Sequence, residues 1–405
     1  MGKVGPIMDF KDYSTAERDT PEQAKFRQEV RDFLDKEVTA ELRREAEVNF
    51  FIPPGVIAFM RTLGAKGWLM PEWPKEYGGA GLSSAEKSIL TEEAAAYGIR
   101  LGSPTDIVGP IVMRYGTEEQ KKEWLPKIAS GEAIFAIGYT EPNAGTDLAA
   151  LEMRAIPDGD DYIVNGQKIF STGAYQSTHH LLAVRTNVDV PKHRGISLFI
   201  ADLRTPGITI SPQWTIADER TDAVFYDDVR VPKKNRLGEE NAGWLIITDA
   251  LTVEREVVSY GHVDARVVVE KLIQYAKETK HNGKPLTEDP LVRQTLAQLA
   301  IEANIFRLFT HRLNWLITKG TLSDWAAAMV KIWSAELTQR AANAGMQIMG
   351  LYGQLEPDSK WAPLEGYIEL VYRFSVVMSF GGGSNELMRS LMAIKGMGLP
   401  REPRI

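Results

Sequence analysis

Residues 163–170 read Ile-Val-Asn-Gly-Gln-Lys-Ile-Phe, so that Asn165-Gly166 separates two short apolar runs. A two-residue hairpin turn needs positive φ at its central positions, and the pair Asn-Gly tolerates this better than most. The segment therefore predicts a β-hairpin. It lies between two long stretches with helical periodicity, and this contrast decides the fold that we predict.

Other β-type runs surround this segment between residues 133 and 240. Each is short, apolar and bounded by turn dipeptides such as Asp-Gly or Pro-Gly. Besides Ile163-Val164 and Ile169-Phe170, the runs are residues 181–184, 196–200, 208–210 and 223–231. We predict an antiparallel sheet, barrel or sandwich for this middle domain.

The segments on both sides predict helices. Thr20-Pro21-Glu22-Gln23 has the form of a capping box and predicts a helix from about residue 21 to 47. Further helical patterns cover residues 54–66, 84–97, 117–130, 244–279, 290–319 and 323–349, with a last pair around Gly381-Gly382-Gly383. The expected fold is α+β: an N-terminal helical domain (1–132), the β domain (133–240) and a C-terminal four-helix bundle (241–405).

Composition excludes several classes of chemistry. The 405 residues include no cysteine, which rules out disulfides, thiolate metal sites, iron–sulfur clusters and cysteine nucleophiles. Of the six histidines, His179-His180 are adjacent without partners at metal-ligand spacing and the other four are scattered, so we expect no metal site. No Gly-x-Gly-x-x-Gly pattern follows a predicted strand, which argues against a Rossmann dinucleotide site.

Charge and hydropathy exclude two kinds of partner. The net charge is −7 and no block of Lys and Arg occurs, so we expect no nucleic-acid binding. No apolar run approaches the roughly 18 to 20 residues of a membrane span. Residues 1–11 resemble neither a signal nor a transit peptide, and we expect a cytoplasmic protein.

Glu254 interrupts an apolar helical stripe. At about 100° per residue it shares a face with Ile247, Leu251 and Val258, whereas Glu256 lies roughly 200° away on a polar stripe. A structural ion pair, with Arg255 or another arginine, explains such a carboxylate. A partly desolvated base suited to removing a proton explains it as well.

The glycine run at residues 381–383 precedes Ser384. Its backbone N–H groups are suited to approach an anion or a carbonyl, although a plain helix-breaking loop accounts for the same residues.

Several motifs resemble those of the acyl-CoA dehydrogenase family. Residues 139–147, Tyr-Thr-Glu-Pro-Asn-Ala-Gly-Thr-Asp, match its first flavin motif, and residues 165–172 match its second. Residues 73–79, residues 347–350 and residues 398–401 extend the resemblance over nearly the whole chain.

The resemblance implies FAD in a cleft between the β domain and the C-terminal helices. It implies that Thr140 bonds the pyrimidine side of the isoalloxazine, and that Phe170 and Thr172 flank the ring. Gln347 would reach the FAD of a neighbouring subunit, and Tyr139, Gly350 and Ser384 are further expected cofactor contacts. Thr146 and Arg255 are the residues expected to bind acyl-CoA.

The catalytic base of many family members is a Glu that aligns with Gly382 here. Members with a small residue at that position, such as isovaleryl-CoA and long-chain enzymes, take the Glu from a Leu-x-x-Glu-Arg pattern. This chain has that pattern at residues 251–255, Leu-Thr-Val-Glu-Arg. The resemblance therefore assigns α-proton removal to Glu254 and a backbone N–H for the enolate oxygen to Gly382.

The implied reaction is α,β-dehydrogenation of an acyl-CoA, with electrons passing to an electron-transfer flavoprotein. A shared FAD site implies an oligomer, typically a tetramer. Two departures from the family pattern are the segment 279–284, which lacks the usual Arg and Phe, and a longer loop at residues 351–367. Gly382 and this loop predict a branched, cyclic or bulky acyl group.

Two alternatives stay open. The departures are also compatible with a non-catalytic or half-site subunit that pairs with a homologous chain in a mixed tetramer. The same fold could instead use its flavin with oxygen, as an oxidase or monooxygenase.

Overall fold

The fold is described from a computed structural model, which covers residues 19–48, 53–99, 101, 104–259, 265–318 and 324–401. The chain divides into two compact units, Met1–Val253 and Glu254–Ile405. Residues 1–18, on which part of the expectation of a cytoplasmic protein rests, lie outside the described residues.

The first unit begins with helices. Their bounds are α1 Pro21–Glu37, α2 Ala40–Val48, α3 Pro54–Ala65, α4 Ser84–Ala96, α5 Pro104–Tyr115 and α6 Glu118–Ala129. Capping boxes begin three of them: Thr20 with Gln23, Ser83 with Glu86, and Thr117 with Gln120. The N-cap hydroxyl and the N3 side chain each satisfy a backbone N–H that the helix leaves open, which explains why these starts were readable in the sequence.

The predicted helix 21–47 is in fact two helices. Val38 adopts an extended conformation with φ −88° and ψ 106°, which ends α1. The hydroxyl of Thr39 then accepts a hydrogen bond from the backbone N–H of Leu42, at 3.1 Å, and begins α2. A β-branched pair whose threonine can cap a new helix outweighs the continuous apolar spacing.

Helix α5 was not among the predicted helices, and Pro110 lies inside it. Proline removes a helix hydrogen bond and normally argues for a break. Here Val108, Ile111 and Val112 are fully buried, and this packing outweighs the cost of the proline. Gly109 lets the Trp73 ring approach so closely that a Cβ would lie 2.1 Å from a ring carbon.

The middle of the chain forms one eight-stranded sheet with the order β6-β7-β3-β2-β4-β5-β8, and β1 pairs with β4. The strands are β1 Phe135–Gly138, β2 Arg154–Asp158, β3 Asp161–Lys168, β4 His179–Arg185, β5 Ile196–Asp202, β6 Ile208–Trp214, β7 Arg220–Pro232 and β8 Arg236–Leu237. Most pairings are antiparallel, as predicted, but β4 pairs parallel with β1 and with β2.

The hairpin predicted at Asn165-Gly166 is wrong. Both residues lie inside β3, where the pairing with β7 shifts register between Val164 and Gly166. Asn165 instead makes two hydrogen bonds with Asp228 on the neighbouring strand. Its amide nitrogen donates to Oδ1 of Asp228 at 2.9 Å, and its amide oxygen accepts from the backbone N–H of Asp228 at 2.8 Å. The hairpin turn is Gly159-Asp160, since Asp158 pairs with Asp161.

The sheet has a separate apolar core on each face. One face packs within the β domain, around Tyr162, Val164, Phe199 and Val224. The other is covered by α5, α6 and the start of α7 (Gly243–Ser259), through residues such as Ile111. Apolar side chains are therefore buried on both faces of the sheet.

The second unit is helical. After α7 come α8 Ala265–Glu278, α9 Pro290–Thr318, α10 Asp324–Met349, α11 Tyr367–Phe374 and α12 Asn385–Leu391. Helix α10 packs against α8, α9, α11 and α12 and lies at the centre of the bundle.

Contrary to the prediction, strands do not end with the β domain. Two short strands, β9 Lys280–His281 and β10 Lys284–Pro285, form a hairpin around Asn282-Gly283. Both turn residues have positive φ, 52° and 80°, as the turn type favoured by Asn-Gly requires.

None of the helices in the described part of the chain has both the length and the apolar character that crossing a membrane requires.

Candidate functional site

A buried ion pair joins the two flavin-motif segments in the β domain. The Nζ atom of Lys168, at the end of β3, lies 2.7 Å from Oε1 of Glu141 and donates to the backbone oxygen of Tyr139 at 3.1 Å. Glu141 also accepts the backbone N–H of Glu152 at 2.7 Å and of Met153 at 3.0 Å. Burial lowers the pKa of Lys168 to about 8, against the opposing effect of Glu141.

This pairing places Thr140 beside the Phe170 segment. The backbone N–H of Ile169 donates to the backbone oxygen of Thr140 at 2.9 Å. Phe170 then takes a left-handed conformation, φ 55°, and its side chain is 59% exposed. Such a conformation is strained for an aromatic residue, and strained residues of this kind cluster at functional sites.

Strand β4, which follows in the chain, contacts the same segment through His180. His180 is fully buried, with Nδ1 2.8 Å from the Tyr226 hydroxyl and Nε2 3.1 Å from the Ser171 hydroxyl. The backbone N–H of Ser171 donates to the backbone oxygen of Asp222 at 2.9 Å. Burial, with the nearby charge of Lys168, lowers the pKa of His180 to about 3, so the ring is neutral at physiological pH.

The surface of these segments fits a planar polar ring. Thr140 and Thr172 are half-buried, and within the described residues neither hydroxyl has a hydrogen-bond partner. The exposed Phe170 ring lies on the same loop. Two unbonded hydroxyls beside an aromatic side chain suit the isoalloxazine of FAD, which offers both polar edges and a face for packing.

Two predicted residues of this unit remain, Thr146 and Tyr139. Thr146 is exposed, and its neighbour Asp147 forms an ion pair with Lys192 at 2.5 Å. Tyr139 is buried, and its backbone oxygen accepts the hydrogen bond from Lys168.

In the second unit the structure brings Glu254 and Gly382 together. A Cβ at Gly382 would lie 3.5 Å from Oε1 of Glu254, and apart from the adjacent residues no other atom of the described part of the chain lies within 4 Å. Glu254 is half-buried on α7, as its place on the apolar stripe indicates. The carboxylate therefore lies beside Gly382, the position that the motif resemblance aligns with the usual Glu.

The loop at residues 381–384 presents backbone donors. Gly382 and Gly383 both have positive φ, 66° and 97°, which L-residues with a side chain rarely adopt. In the described part of the chain, the N–H groups of Gly382 and Gly383 donate to no protein acceptor. Ser384 is the N-cap of α12, and its hydroxyl accepts from the backbone N–H of Leu387 at 3.3 Å.

Sequence reasoning missed Lys331, which lies next to this loop on α10. Its Nζ atom donates to the Gly383 oxygen at 2.7 Å and to Oδ1 of Asn385 at 2.8 Å. Only 3% of the residue is exposed. The available signal was a lysine within the apolar run of residues 326–333, Ala-Ala-Ala-Met-Val-Lys-Ile-Trp.

The other predicted residues of this unit are more dispersed. Gln347 and Gly350 are exposed at the end of α10, and Gly350 has φ 59°. The side chain of Arg255 lies outside the described residues. No group of three or more His, Asp or Glu that could hold a metal ion occurs among the residues that the structure describes.

Comparison with known families matches three family models in the expected order. "Acyl-CoA dehydrogenase, N-terminal domain" matches residues 20–132, the middle domain matches residues 136–229, and the C-terminal domain matches residues 241–396.

Relatives match over nearly the full length. Acyl-CoA dehydrogenase FadE26 of Mycobacterium tuberculosis is 38% identical over 401 residues, covering 95% of this chain and 99% of the relative. The crystal structure of the ChsE4-ChsE5 complex from the same species has a TM-score of 0.85 at 38% identity, covering 95% of this chain and 99% of the matched one. The structure named Tcur3481-Tcur3483 steroid ACAD has a TM-score of 0.86 at 36% identity, covering 98% and 100%.

The three-part fold, the motif geometry and these matches define a flavin-dependent oxidoreductase that acts on CH–CH bonds. The chain belongs to the acyl-CoA dehydrogenase family.

Proposed function

We propose that the chain catalyses FAD-dependent α,β-dehydrogenation of an acyl-CoA thioester to the 2-enoyl-CoA, with Glu254 as the base that removes the α-proton. The observation that carries this proposal is the 3.5 Å between Oε1 of Glu254 and the Cβ position of Gly382. The carboxylate thus occupies the neighbourhood of the usual family base, although it comes from another helix.

The residues of the second unit account for the proton transfer. The α-hydrogen of a thioester is too weakly acidic for a carboxylate in water, so the enolate oxygen needs preorganised donors. The backbone N–H of Gly382 has no protein acceptor in the described residues, which supports its proposed role as such a donor. A half-buried Glu254 beside it loses further water when an acyl chain binds, which favours proton removal.

The residues of the first unit would hold the cofactor. Thr140 and Thr172 offer their hydroxyls to the ring, Phe170 packs against it, and the Lys168–Glu141 pair fixes the segments that carry them. When bound, FAD would supply the acceptor for the hydride that leaves the β-carbon. Gln347, Gly350 and Ser384 remain proposed cofactor contacts, Thr146 and Arg255 remain proposed contacts of the acyl-CoA, and an electron-transfer flavoprotein is the proposed acceptor.

Glu254→Gln tests the base. The amide is nearly isosteric but cannot accept the proton, so we expect FAD to stay bound while the rate of flavin bleaching by acyl-CoA falls about 10²- to 10⁴-fold. Glu256→Gln is the matched control, since helical phase places Glu256 on the opposite stripe and its rate should equal that of the wild type. Equal rates for the two variants would contradict the assignment of Glu254.

We further propose that the acyl group is branched, cyclic or otherwise bulky. Gly382 leaves volume where other members have a Glu side chain, and a short straight chain would leave that volume unfilled. The similarity to the structure named as a steroid ACAD also supports a bulky acyl group.

A panel of thioesters tests the substrate shape. We compare kcat/KM for butyryl-CoA and octanoyl-CoA with that for isovaleryl-CoA, a cyclohexane-carboxyl-CoA and a steroid-side-chain acyl-CoA, using an artificial electron acceptor. The bulky esters should give the higher values. A clear preference for a straight chain would refute the argument from Gly382 and leave the reaction unchanged.

A mixed oligomer is the second candidate, and the ChsE4-ChsE5 complex among the matched structures favours it. In this form the chain would be one of two kinds of subunit. Purifying the chain alone decides: bound FAD with substrate-dependent bleaching indicates a self-sufficient enzyme, whereas activity that appears only after co-expression with a homologous chain indicates the mixed form.

A further inference from the structure

Lys331 is a charged side chain at the centre of the helical bundle. It lies on α10 between the fully buried Val330 and the buried Ile332, and 3% of it is exposed. Burying an ammonium group costs free energy unless the protein provides hydrogen-bond acceptors and nearby negative charge. A buried lysine in an apolar run therefore indicates that such partners lie close to it.

Its hydrogen bonds go to the loop that carries Gly382. The ammonium donates to the backbone oxygen of Gly383 at 2.7 Å and to Oδ1 of Asn385 at 2.8 Å. Two consecutive glycines with positive φ have little conformational preference of their own. The two hydrogen bonds of Lys331 therefore restrict the conformation of a loop whose glycines allow many conformations.

Carboxylates from three helices act on the charge of Lys331. Glu254 on α7, Glu336 on α10 and Glu386 on α12 each favour the charged form of Lys331, whereas burial, the larger effect, lowers its pKa to about 8. Glu336 also forms an ion pair with Arg389, so part of its charge is already balanced.

We propose that Lys331 is a positioning residue for the dehydrogenation: it holds the loop so that Gly382 stays beside the Glu254 carboxylate, and its positive charge keeps that carboxylate ionised. The inference rests on the proposed role of Glu254. It adds a residue whose contacts are to the loop and the base rather than to the substrate.

The two effects separate by substitution. Lys331→Gln keeps an N–H donor for the loop and removes the charge, whereas Lys331→Met removes both. Without the positive charge, Glu254 holds its proton to a higher pH. Flavin reduction should then be slow at low pH and should recover as the pH rises.

The experiment is the rate of flavin reduction by acyl-CoA against pH in the purified holoenzyme. For Lys331→Gln we expect the acid-side midpoint to move up by about one pH unit, with the rate above the midpoint retained within about threefold. For Lys331→Met we expect the same shift and a lower plateau. Lys277→Gln, which alters an exposed lysine on α8, should reproduce the wild-type profile.

A second measurement does not depend on turnover. The infrared carboxylate band of Glu254, taken as the difference from Glu254→Gln, gives the pH at which that group ionises. It should move upward in Lys331→Gln together with the rate profile. If Lys331→Met does not fold, Lys331→Gln alone carries both measurements.

The outcomes distinguish the two proposals. An unchanged midpoint and an unchanged infrared titration in Lys331→Gln, with Glu254→Gln inactive, would overturn the role of Lys331 and leave Glu254 as the base. Rapid flavin reduction by Glu254→Gln would overturn the proposed function itself.

Discussion

At the scale of single residues, His180 shows how the β domain supports its surface loop. Its ring bonds the Tyr226 hydroxyl on one side and the Ser171 hydroxyl on the other, within a fully buried site. Burial lowers its pKa from 6.5 to about 3. Protonation would require placing a second positive charge near Lys168, so the folded protein resists it.

Acid sensitivity follows from that pKa. Between pH 6.5 and about 3 the unfolded chain binds a proton at this position and the folded chain does not, so the free energy of unfolding falls as the pH falls. Urea titrations at several pH values should show a shallower fall for His180→Gln than for the wild type. His179, whose pKa burial lowers to about 4, acts in the same direction in both proteins.

The control for this prediction is His281→Gln, which alters an exposed histidine in β9 and should retain the wild-type slope. Identical slopes for all three proteins would show that His180 is not neutral in the folded state.

Thr140 and Thr172 provide the residue-level test of cofactor binding. Each Thr→Val change removes one hydroxyl and keeps the branched shape. We expect each variant to bind FAD more weakly by about 0.5–1.5 kcal/mol, which is roughly a 2- to 13-fold increase in Kd, with unchanged far-ultraviolet circular dichroism. Thr209→Val, on strand β6, is a surface control. Wild-type affinity in both site variants would show that these hydroxyls do not contact the ring.

At the scale of elements, β3 contains Gly166, which the sequence places in a hairpin turn and the structure places inside a strand. Gly166 lies at the register shift with β7, has φ 137°, and faces Met153, whose Cγ would be 2.9 Å from a Cβ. Gly159, in the true turn, has φ 64° and open space around its Cβ position. Only the first glycine combines backbone strain with a steric conflict.

Alanine substitutions separate these two causes. Gly159→Ala should cost about 1–2 kcal/mol, the price of a left-handed residue with a side chain. Gly166→Ala adds the conflict with Met153, and we expect a further loss of about 1–3 kcal/mol in the free energy of unfolding. Equilibrium urea unfolding of the two variants measures the difference, and a Gly159 variant that is the less stable of the two would contradict the explanation.

At the scale of the whole molecule, α9 carries an exposed apolar stripe. Ile301, Leu308 and Trp315 are 56%, 59% and 57% exposed, and their seven-residue spacing places them along one side of the helix. Large exposed apolar side chains in a row are typical of an interface between subunits. The stripe supports the proposed oligomer, whether of identical or of homologous chains.

Leu308→Lys tests that interface. A charge in the centre of the stripe should shift the sedimenting mass of the purified protein toward that of the monomer. Leu291→Lys is the matched control, since Leu291 is 80% exposed on the same helix but lies about 80° away from Ile301 around the axis. The same mass for wild type and Leu308→Lys would exclude this stripe as the interface.

The candidate site was only partly predictable. Glu254 was identified from helical phase because its departure from the apolar pattern is local, and the flavin-motif residues were identified from their resemblance to a family. Lys331 and His180 were not, because their roles come from partners distant in sequence: Gly383 for the lysine and Tyr226 for the histidine. Sequence spacing carries no information about such contacts.

The order of helices, strands and helices follows from the chain alone, because capping residues and apolar periodicity act through hydrogen bonds and faces within a few residues. The same local logic failed at Asn165-Gly166, where pairing with β7 and the bond to Asp228 outweigh a strong turn preference. Folding was also needed to place Glu254 beside Gly382 and Lys331 beside the same loop. Those positions depend on how α7, α10 and the loop before α12 pack together. Such packing joins residues that are far apart in the sequence, so the spacing of neighbouring residues does not determine it.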